Sequence, residues 1–359
     1  MKKFINNRIS FVLLDISNHG GVRVIINIVN FLAERGHDIH IYASRKPNSV
    51  SYVISPMVKI HYATRIKSRV ISFILFPFIL PFILSGDLYV STFYYVRLPT
   101  KLAAFFKGVP HCYFIQGIEC FRKGMLSNLL NFLCETSLHD RNLLASNRYL
   151  SNEVLNKTGR SVNYISVGPS RVFFTQPLVE TKKVFDVIYF ARREKFKRLD
   201  LFLDLSSNTR FIDKGWKAVI VTLDHLLADD LRKMSLPNCT VIIPAKDEEL
   251  INLIDQSKVM FFTSEYEGLG LPPLECMLRG VPTVTYKTYP MTEYFSNSEL
   301  NNLLIDDTNS AVSIIQKIII SAEIYANYSK LCKDFVQCEF SENYPNEFIN
   351  HVQSLLNSK

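Results

Sequence analysis

The chain alternates short apolar runs with amphipathic, helix-like stretches over its whole length, and this alternation constrains the fold more than any other feature. In the first half, runs with strand character occupy residues 8–14, 38–43, 87–91, 111–115, 142–145 and 162–167. Polar or helical sequence follows each run, most clearly the helical pattern at 22–35. A β-α-β order of this kind predicts parallel strands joined by right-handed crossovers.

The same rhythm restarts after Gly168 and Pro169. Six more strand-like runs occupy residues 185–190, 216–222, 240–243, 259–263, 283–286 and 302–305. Because 359 residues exceed the usual size of one hydrophobic core, we predict two doubly wound domains in tandem, with a boundary within 167–183. A last helix is expected at 344–356, packed on one of the two domains.

Composition restricts the class of protein. The chain is 48% hydrophobic and 21% charged, which excludes a disordered chain. Its seven cysteines are odd in number and contain no C-x-x-C pair, which predicts neither a disulfide framework nor a zinc site and fits a reducing cytoplasm. The N-terminal lysines precede an apolar run that ends in Asp15 without a small-residue cleavage site. We interpret that run as a buried strand rather than a signal peptide.

Positive charge is concentrated in the first half of the chain. Residues 1–168 hold 20 Lys and Arg against 8 Asp and Glu, whereas the rest holds 21 against 25. A basic half suits nucleic acid, an anionic membrane surface or an anionic substrate. A solvated surface without a partner is the alternative.

One apolar segment bears on the choice between these partners. Residues 70–84 form a nearly unbroken apolar run that follows four cations and contains Pro77 and Pro81. At about 1.5 Å per residue the run is too short to cross a hydrocarbon core of about 30 Å. Two interpretations remain open: a core helix and strand of the first domain, or an interfacial segment beside a basic rim.

Candidate site residues follow the strands, because ligands of open parallel sheets bind outside the carboxyl ends of the strands. Two such sheets would define a cleft. After the first strand, Gly20 and Gly21 precede a helix whose free N–H groups favour an anion, although the G-x-G-x-x-G fingerprint is absent and a simple tight turn is the alternative. In A-R-R-E-K-F-K-R-L-D (191–200), Arg192 and Lys197 could hold a diphosphate. A solvated basic loop is the alternative there.

The segment E-Y-E-G-L-G-L-P-P-L-E (265–275) carries the strongest pattern. Gly268 and Gly270 can bring backbone N–H groups against an oxyanion, and adjacent prolines suit the first turn of a helix. Glu267 and Glu275 can then both face the cleft, where carboxylates accept hydrogen bonds from the vicinal hydroxyls of a sugar. The alternative, a charge favoured by the helix dipole, is reasonable for Glu275 and poor for Glu267.

This segment resembles the E-x7-E region of retaining GT-B glycosyltransferases of the family 4 type. The similarity extends to H-G-G-V-R-V-I-I-N-I-V-N-F-L-A-E-R-G-H-D-I near the N-terminus, A-S-N-R-Y-L (145–150), A-R-R-E-K-F-K-R and C-E-F-S-E-N-Y (338–344). The resemblance implies an α/β GT-B fold: an acceptor-binding Rossmann-like domain at 1–170, a donor-binding one at 171–340, and a helix at 341–359 that crosses back to the first domain.

The resemblance also implies roles for individual residues. Arg192 and Lys197 would hold the donor diphosphate, Glu267 the sugar hydroxyls and Glu275 the ribose; Arg192, Lys197 and Glu267 would be the catalytic residues. The remaining donor-binding positions it implies are Gly20, Gly21, Ala245, Lys246, Gly268, Leu269, Gly270 and Leu271. No metal or other cofactor is implied, since Arg and Lys would offset the charge of the diphosphate and no D-x-D motif occurs.

The chain departs from the family pattern in two motifs. Where many relatives carry a histidine, this chain has Y-F-I-Q-G-I-E, which makes Gln116 and Glu119 candidate sugar or acceptor contacts. The glycines that usually flank the phosphate motif are Ala191 and Arg198 here. The backbone is therefore less free at this loop, and Arg198 adds a cation.

The resemblance implies a cytoplasmic glycosyltransferase that uses a nucleotide-sugar donor and a lipid-linked or surface-polysaccharide acceptor. The basic first domain and residues 70–84 favour contact with the anionic cytoplasmic face of a membrane, and nucleic acid is not an expected partner. The alternatives are a transferase with a soluble acceptor and a catalytically silent GT-B scaffold.

Overall fold

The computed structural model describes residues 7–16, 20–47, 53–118, 125–177, 181–244, 246–296 and 298–357, without the side chains of 125–127. The chain divides into two compact units. Unit 1 comprises Met1–Val167 and Asn343–Lys359, and unit 2 comprises Gly168–Glu342. The boundaries placed by sequence, at 170 and 340, fall a few residues from these.

Unit 1 is built on a parallel sheet of seven strands. In chain order these are β1 (Arg8–Val12), β2 (Asp38–Arg45), β3 (Lys59–Thr64), β4 (Leu88–Ser91), β5 (His111–Ile115), β6 (Leu143–Ala145) and β7 (Asn163–Tyr164). Their order in the sheet is β3-β2-β1-β4-β5-β6-β7. The central strands are buried because helices cover both faces of such a sheet, so their sequences are apolar almost throughout.

Helices connect the strands of unit 1, and one returns from the far end of the chain. They are α1 (Gly20–Glu34), α2 (Arg69–Ile83), α3 (Tyr94–Lys107), α4 (Met125–Ser137) and α5 (Arg148–Thr158), joined by α15 (Tyr344–Asn357). The ring of Phe348 on α15 is fully buried, with its centroid 5.6 Å from that of Phe11 and 5.7 Å from that of Phe114. The C-terminal helix therefore completes the core of unit 1.

Helix α2 contains residues 70–83 of the apolar run, and both prolines of the run lie inside the helix. Ser68 caps the helix by accepting a hydrogen bond from the Ile71 N–H. Only one narrow line of residues, with Ser72, Phe76 and Leu80, is buried. The structure disagrees with a core helix and strand, because the segment is a single helix and most of its apolar side chains remain exposed. The alternative, an interfacial segment beside a basic rim, stays a prediction. Among the described residues, no helix is long and apolar enough to cross a membrane.

Unit 2 is a second doubly wound domain. Its six parallel strands are β8 (Phe185–Phe190), β9 (Ala218–Val221), β10 (Cys239–Ile242), β11 (Ser257–Phe262), β12 (Thr283–Tyr286) and β13 (Leu304–Ile305), in the sheet order β10-β9-β8-β11-β12-β13. Its helices are α6 (Arg171–Thr175), α7 (Leu199–Ser206), α8 (Thr209–Asp213), α9 (His225–Lys233), α10 (Asp247–Asp255), α11 (Leu271–Leu278), α12 (Met291–Phe295), α13 (Thr308–Ile320) and α14 (Ala322–Glu339). The predicted pair of doubly wound parallel-sheet domains is confirmed.

Every strand-like run identified in the sequence overlaps a strand, and one strand of the described residues was missed. The missed strand is β3, K-I-H-Y-A-T, at the edge of the first sheet. Its residues are mostly half-exposed, so its sequence lacks the apolar character of the central strands.

Candidate functional site

The order of strands places a crevice in each unit at a defined point. In unit 2, β8 pairs with β11, and successive connections run to opposite sides of this pair. Such a reversal leaves a crevice outside the carboxyl ends of the two strands, where open α/β sheets bind their ligands. The loops that follow β8 and β11 are the ones that carry A-R-R-E-K-F-K-R and E-Y-E-G-L-G-L-P-P-L-E.

These two loops are joined by hydrogen bonds to the backbone. The Glu265 N–H donates to the Phe196 carbonyl at 2.7 Å, and the Thr263 hydroxyl donates to the Lys197 carbonyl, also at 2.7 Å. The Tyr189 hydroxyl lies 3.1 Å from Thr263 Oγ1, and burial raises the pKa of Tyr189 to about 12. The Tyr189 phenol is therefore protonated at neutral pH. The hydrogen bonds of Glu265 and Thr263 hold the turn that contains Lys197 against the end of β11.

Lys197 and Glu267 form an ion pair between the two loops. The Lys197 ammonium donates to Oε1 of Glu267, which also accepts from the Ser264 hydroxyl at 3.1 Å. The Glu267 N–H donates to the Tyr289 carbonyl at 3.1 Å. Hydrogen bonds therefore hold both the backbone and the carboxylate of Glu267. About a fifth of each charged side chain is exposed. The pair is thus partly desolvated and still accessible to a ligand.

The glycines and prolines of the second loop set the start of α11. Helix α11 begins at Leu271, with prolines in its first turn. Gly270 has φ 71°, and a Cβ there would lie 3.0 Å from Met291 Cε and 3.2 Å from Pro273 Cγ. Only glycine fits this position without strain. The Leu269 carbonyl accepts from the Tyr294 hydroxyl at 2.9 Å, which fixes the loop between Gly268 and the helix.

The other positions expected from sequence lie at several places in unit 2. Arg192 follows β8 and is half-buried, and Glu275 is buried on α11 with 2% of its surface exposed. Lys246 follows β10, two strands from β8, and immediately precedes α10. Ala245 lies outside the described residues.

Unit 1 brings two predicted residues together at its own point of reversal, between β1 and β4. Gly20 and Gly21 begin α1, which follows β1, and Gln116 follows β5. A Cβ on Gly21 would lie 3.3 Å from Gln116 Oε1, so the amide packs directly against the glycine. Glu119 lies outside the described residues.

Sequence reasoning assigned no role to four residues that build the site: Tyr189, Thr263, Ser264 and Tyr289. Ser264 stood inside the S-x-x-E-G pattern, which was the available signal. Nothing in the sequence marks Thr263 or Tyr289, because their contacts depend on which strands are neighbours. Among the described residues, no group of three or more His, Cys, Asp or Glu side chains could hold a metal ion.

Comparison with known proteins supports the resemblance to glycosyltransferases described in the sequence analysis. Residues 172–335 match the model of the family described as glycosyl transferases group 1. A stretch of 110 residues is 27% identical to a GDP-mannose:cellobiosyl-diphosphopolyprenol α-mannosyltransferase from Komagataeibacter xylinus. That match spans 29% of this chain and 28% of the mannosyltransferase.

Solved structures resemble the whole chain at low sequence identity. Sucrose-phosphate synthase from Thermosynechococcus elongatus gives a TM-score of 0.73 at 12% identity over 98% of this chain and 100% of that one. HepE from Anabaena, solved with UDP and glucose, gives 0.69 at 16% identity over 97% and 99%. WaaG, a glycosyltransferase involved in lipopolysaccharide biosynthesis, gives 0.68 at 12% identity over 94% and 98%.

The fold is therefore that of the GT-B class, as the sequence resemblance predicts. Residues 172–335 form a domain that matches the glycosyl transferases group 1 family. The family match lies in unit 2, which carries the Lys197–Glu267 pair.

Proposed function

We propose that the protein is a retaining glycosyltransferase that moves a sugar from a nucleotide-sugar donor to a lipid-linked or surface-polysaccharide glycan, on the cytoplasmic side of a membrane. One observation carries the proposal. The ion pair of Lys197 and Glu267 sits outside the carboxyl ends of β8 and β11, within the segment that matches the group 1 family. A cation and a carboxylate at such a crevice suit a ligand with both phosphates and hydroxyls.

Similar proteins support this choice of donor and acceptor. HepE was solved with UDP and glucose, and the relative from Komagataeibacter is named for a GDP-mannose donor and a diphosphopolyprenol-linked acceptor. WaaG is described as acting in lipopolysaccharide biosynthesis. By analogy, a nucleoside diphosphate sugar is the expected donor, and a glycan on a lipid carrier is the expected acceptor.

The contacts of the ion pair suggest how a donor is held. An ammonium has three N–H donors, and Glu267 uses one of them, so Lys197 can still donate to diphosphate oxygens. Within the described residues, both side-chain bonds of Glu267 go to Oε1, which leaves Oε2 for a sugar hydroxyl. Arg192, on the same loop as Lys197, would add a second cation for the diphosphate.

Charge stabilisation is then the main catalytic contribution. The bond from the anomeric carbon to the phosphate oxygen breaks, and its electrons remain on the departing nucleoside diphosphate. Lys197 and Arg192 stabilise that developing negative charge. This electrostatic stabilisation is stronger in a partly desolvated site than in water. The acceptor oxygen forms the new bond from the same face and passes its proton to the departing phosphate. No metal ion is required, because the two cations take its part.

The substitution Glu267→Gln tests whether the ion pair of Lys197 and Glu267 takes part in catalysis. Removing the charge while keeping the shape should lower kcat by about 100-fold, because Lys197 loses its partner and the sugar loses a charged acceptor. The measurement is turnover with a panel of nucleotide sugars, the productive donor being found first by thermal shift. The control is Glu265→Gln, two residues away, where an exposed carboxylate pairs with the half-buried Arg198 at 3.5 Å.

Undiminished turnover in Glu267→Gln would contradict the role given to this carboxylate. A wild-type protein that is stabilised by a nucleotide sugar but turns none over would point to the silent scaffold instead.

A further inference from the structure

Three neighbouring helices of unit 1, α2, α3 and α4, expose several large apolar side chains. Helix α3 packs between α2 and α4, so the outer faces of these helices adjoin. Large apolar side chains recur on those faces at helical spacing. We call the surface formed by Ile74, Phe78, Phe82, Phe105, Phe106 and Phe132 the apolar face.

The apolar face exposes about as much area as the largest apolar patch of a typical monomeric protein, which is often functional. Phe82 is 86% exposed, Phe106 80% and Phe105 79%. At about 150–250 Å² for an aromatic side chain, its five phenylalanines alone expose on the order of 600 Å². Exposed apolar patches above a few hundred Å² mark interaction sites.

The charges around this surface indicate what covers it. Residues 53–118, which include α2 and α3, contain seven Lys and Arg and a single acid, Asp87. Arg65 and Lys67, just before α2, are exposed, as are Lys101 and Lys107 on α3. Exposed phenylalanines beside cations suit an anionic bilayer, where rings enter the boundary between headgroups and acyl chains and cations contact the lipid phosphates.

We propose that the apolar face docks the protein on an anionic lipid bilayer, with α2 and α3 lying along its surface. A second copy of the chain fits less well, because a two-fold contact would place the same cations against each other. The inference deepens the proposed function, because it names the surface by which the protein would bind the membrane that carries a lipid-linked acceptor. The choice of a membrane as the partner rests on the proposed function, whereas the exposure of the apolar face is observed independently of it.

Vesicle binding tests the proposal directly. Sedimentation with phosphatidylglycerol-containing vesicles should show binding of the full chain, and Phe82→Ser/Phe105→Ser/Phe106→Ser should weaken it by more than about tenfold. Arg65→Gln/Lys67→Gln should weaken it by about fivefold per charge, and added salt should do the same. The matched control is Leu226→Ser/Ile320→Ser in unit 2, where the two side chains are 71% and 67% exposed.

Folding and activity are read separately from docking. All substituted side chains are exposed, so thermal unfolding and thermal shift with the nucleotide sugar should be unchanged in every variant. Vesicle binding without any turnover would leave the docking surface standing and remove the proposed activity. Equal vesicle binding by the wild type and the phenylalanine variant would overturn the proposal. So would a wild-type dimer, found by light scattering, that the same substitutions convert to a monomer while vesicles bind neither form.

Discussion

At the residue scale, the site depends on two side chains that are 70 residues apart in the chain. The contact of Lys197 with Glu267 exists because β8 and β11 are neighbours and because the Lys197 carbonyl is held by Thr263. The residue after Lys197 adopts an unusual conformation. Arg198 has φ 52° and ψ 52°, in the left-handed region that favours glycine. Its guanidinium pairs with the exposed Asp200 at 2.8 Å.

Two substitutions at Arg198 separate backbone strain from charge. Both Arg198→Gly and Arg198→Ala lose the exposed ion pairs, but only glycine relieves the left-handed backbone. Arg198→Gly should therefore be more stable than Arg198→Ala by about 1 kcal/mol. Urea denaturation followed by fluorescence checks this, because the only tryptophan, Trp216, is buried in unit 2. Equal stability of the two variants would contradict a strained Arg198.

At the scale of elements, a buried ion pair fixes α11 to α10. Arg279 Nε donates to Asp255 Oδ1 at 2.9 Å, and only 2% and 7% of the two side chains are exposed. The same guanidinium donates to the carbonyls of Gln176 and Pro177. The helix that begins at the candidate site is thus anchored at its far end by charges shielded from water.

Removing one member of this pair should be costly. Asp255→Ala leaves the Arg279 charge buried without its partner, so we expect a loss of about 3–5 kcal/mol in the free energy of unfolding of unit 2. The control is Asp229→Ala, which breaks an exposed pair with Arg232 and should cost no more than about 1 kcal/mol. Trp216 fluorescence in urea reports both. If the two substitutions lowered the free energy of unfolding by similar amounts, the buried ion pair would be no more important for stability than the exposed one.

The elements also show how much of the fold can be predicted from the sequence. Central strands such as β8 and β11 are apolar because both of their faces are covered, so their runs stand out. The edge strand β3 is mixed in character and was missed. The order of strands is not encoded locally. The pairing of Lys197 with Glu267 and the approach of Gln116 to Gly21 therefore could not be derived from spacing, although the residues themselves were identified.

At the scale of the whole molecule, buried and half-buried histidines link stability to pH. Burial lowers the pKa of His111 to about 4, and His111 Nε2 lies 2.8 Å from the Ser91 hydroxyl. Burial also lowers the pKa of His40, His61 and His351. In all four, the folded state disfavours the protonated ring. Between the folded and unfolded pKa values the unfolded chain binds more protons, so stability falls as pH falls.

For His111 the window runs from its ordinary pKa of 6.5 down to about 4. Its contribution is complete above pH 6.5 and is lost by about pH 4, a change of about 3 kcal/mol. His111→Gln removes this titration. The stability difference between wild type and variant should therefore shrink as pH is lowered from 7 to about 4.5, measured by urea denaturation followed by circular dichroism. A difference independent of pH would refute the assignment to His111.

The return of α15 to unit 1 has a consequence for the synthesis of the protein. Translation proceeds at roughly 5–20 residues per second, and residues 343–359 leave the ribosome after all of unit 2. Until then Phe348 is missing from its place against Phe11 and Phe114. The domain whose synthesis begins first therefore cannot complete its core until the second domain has been synthesised.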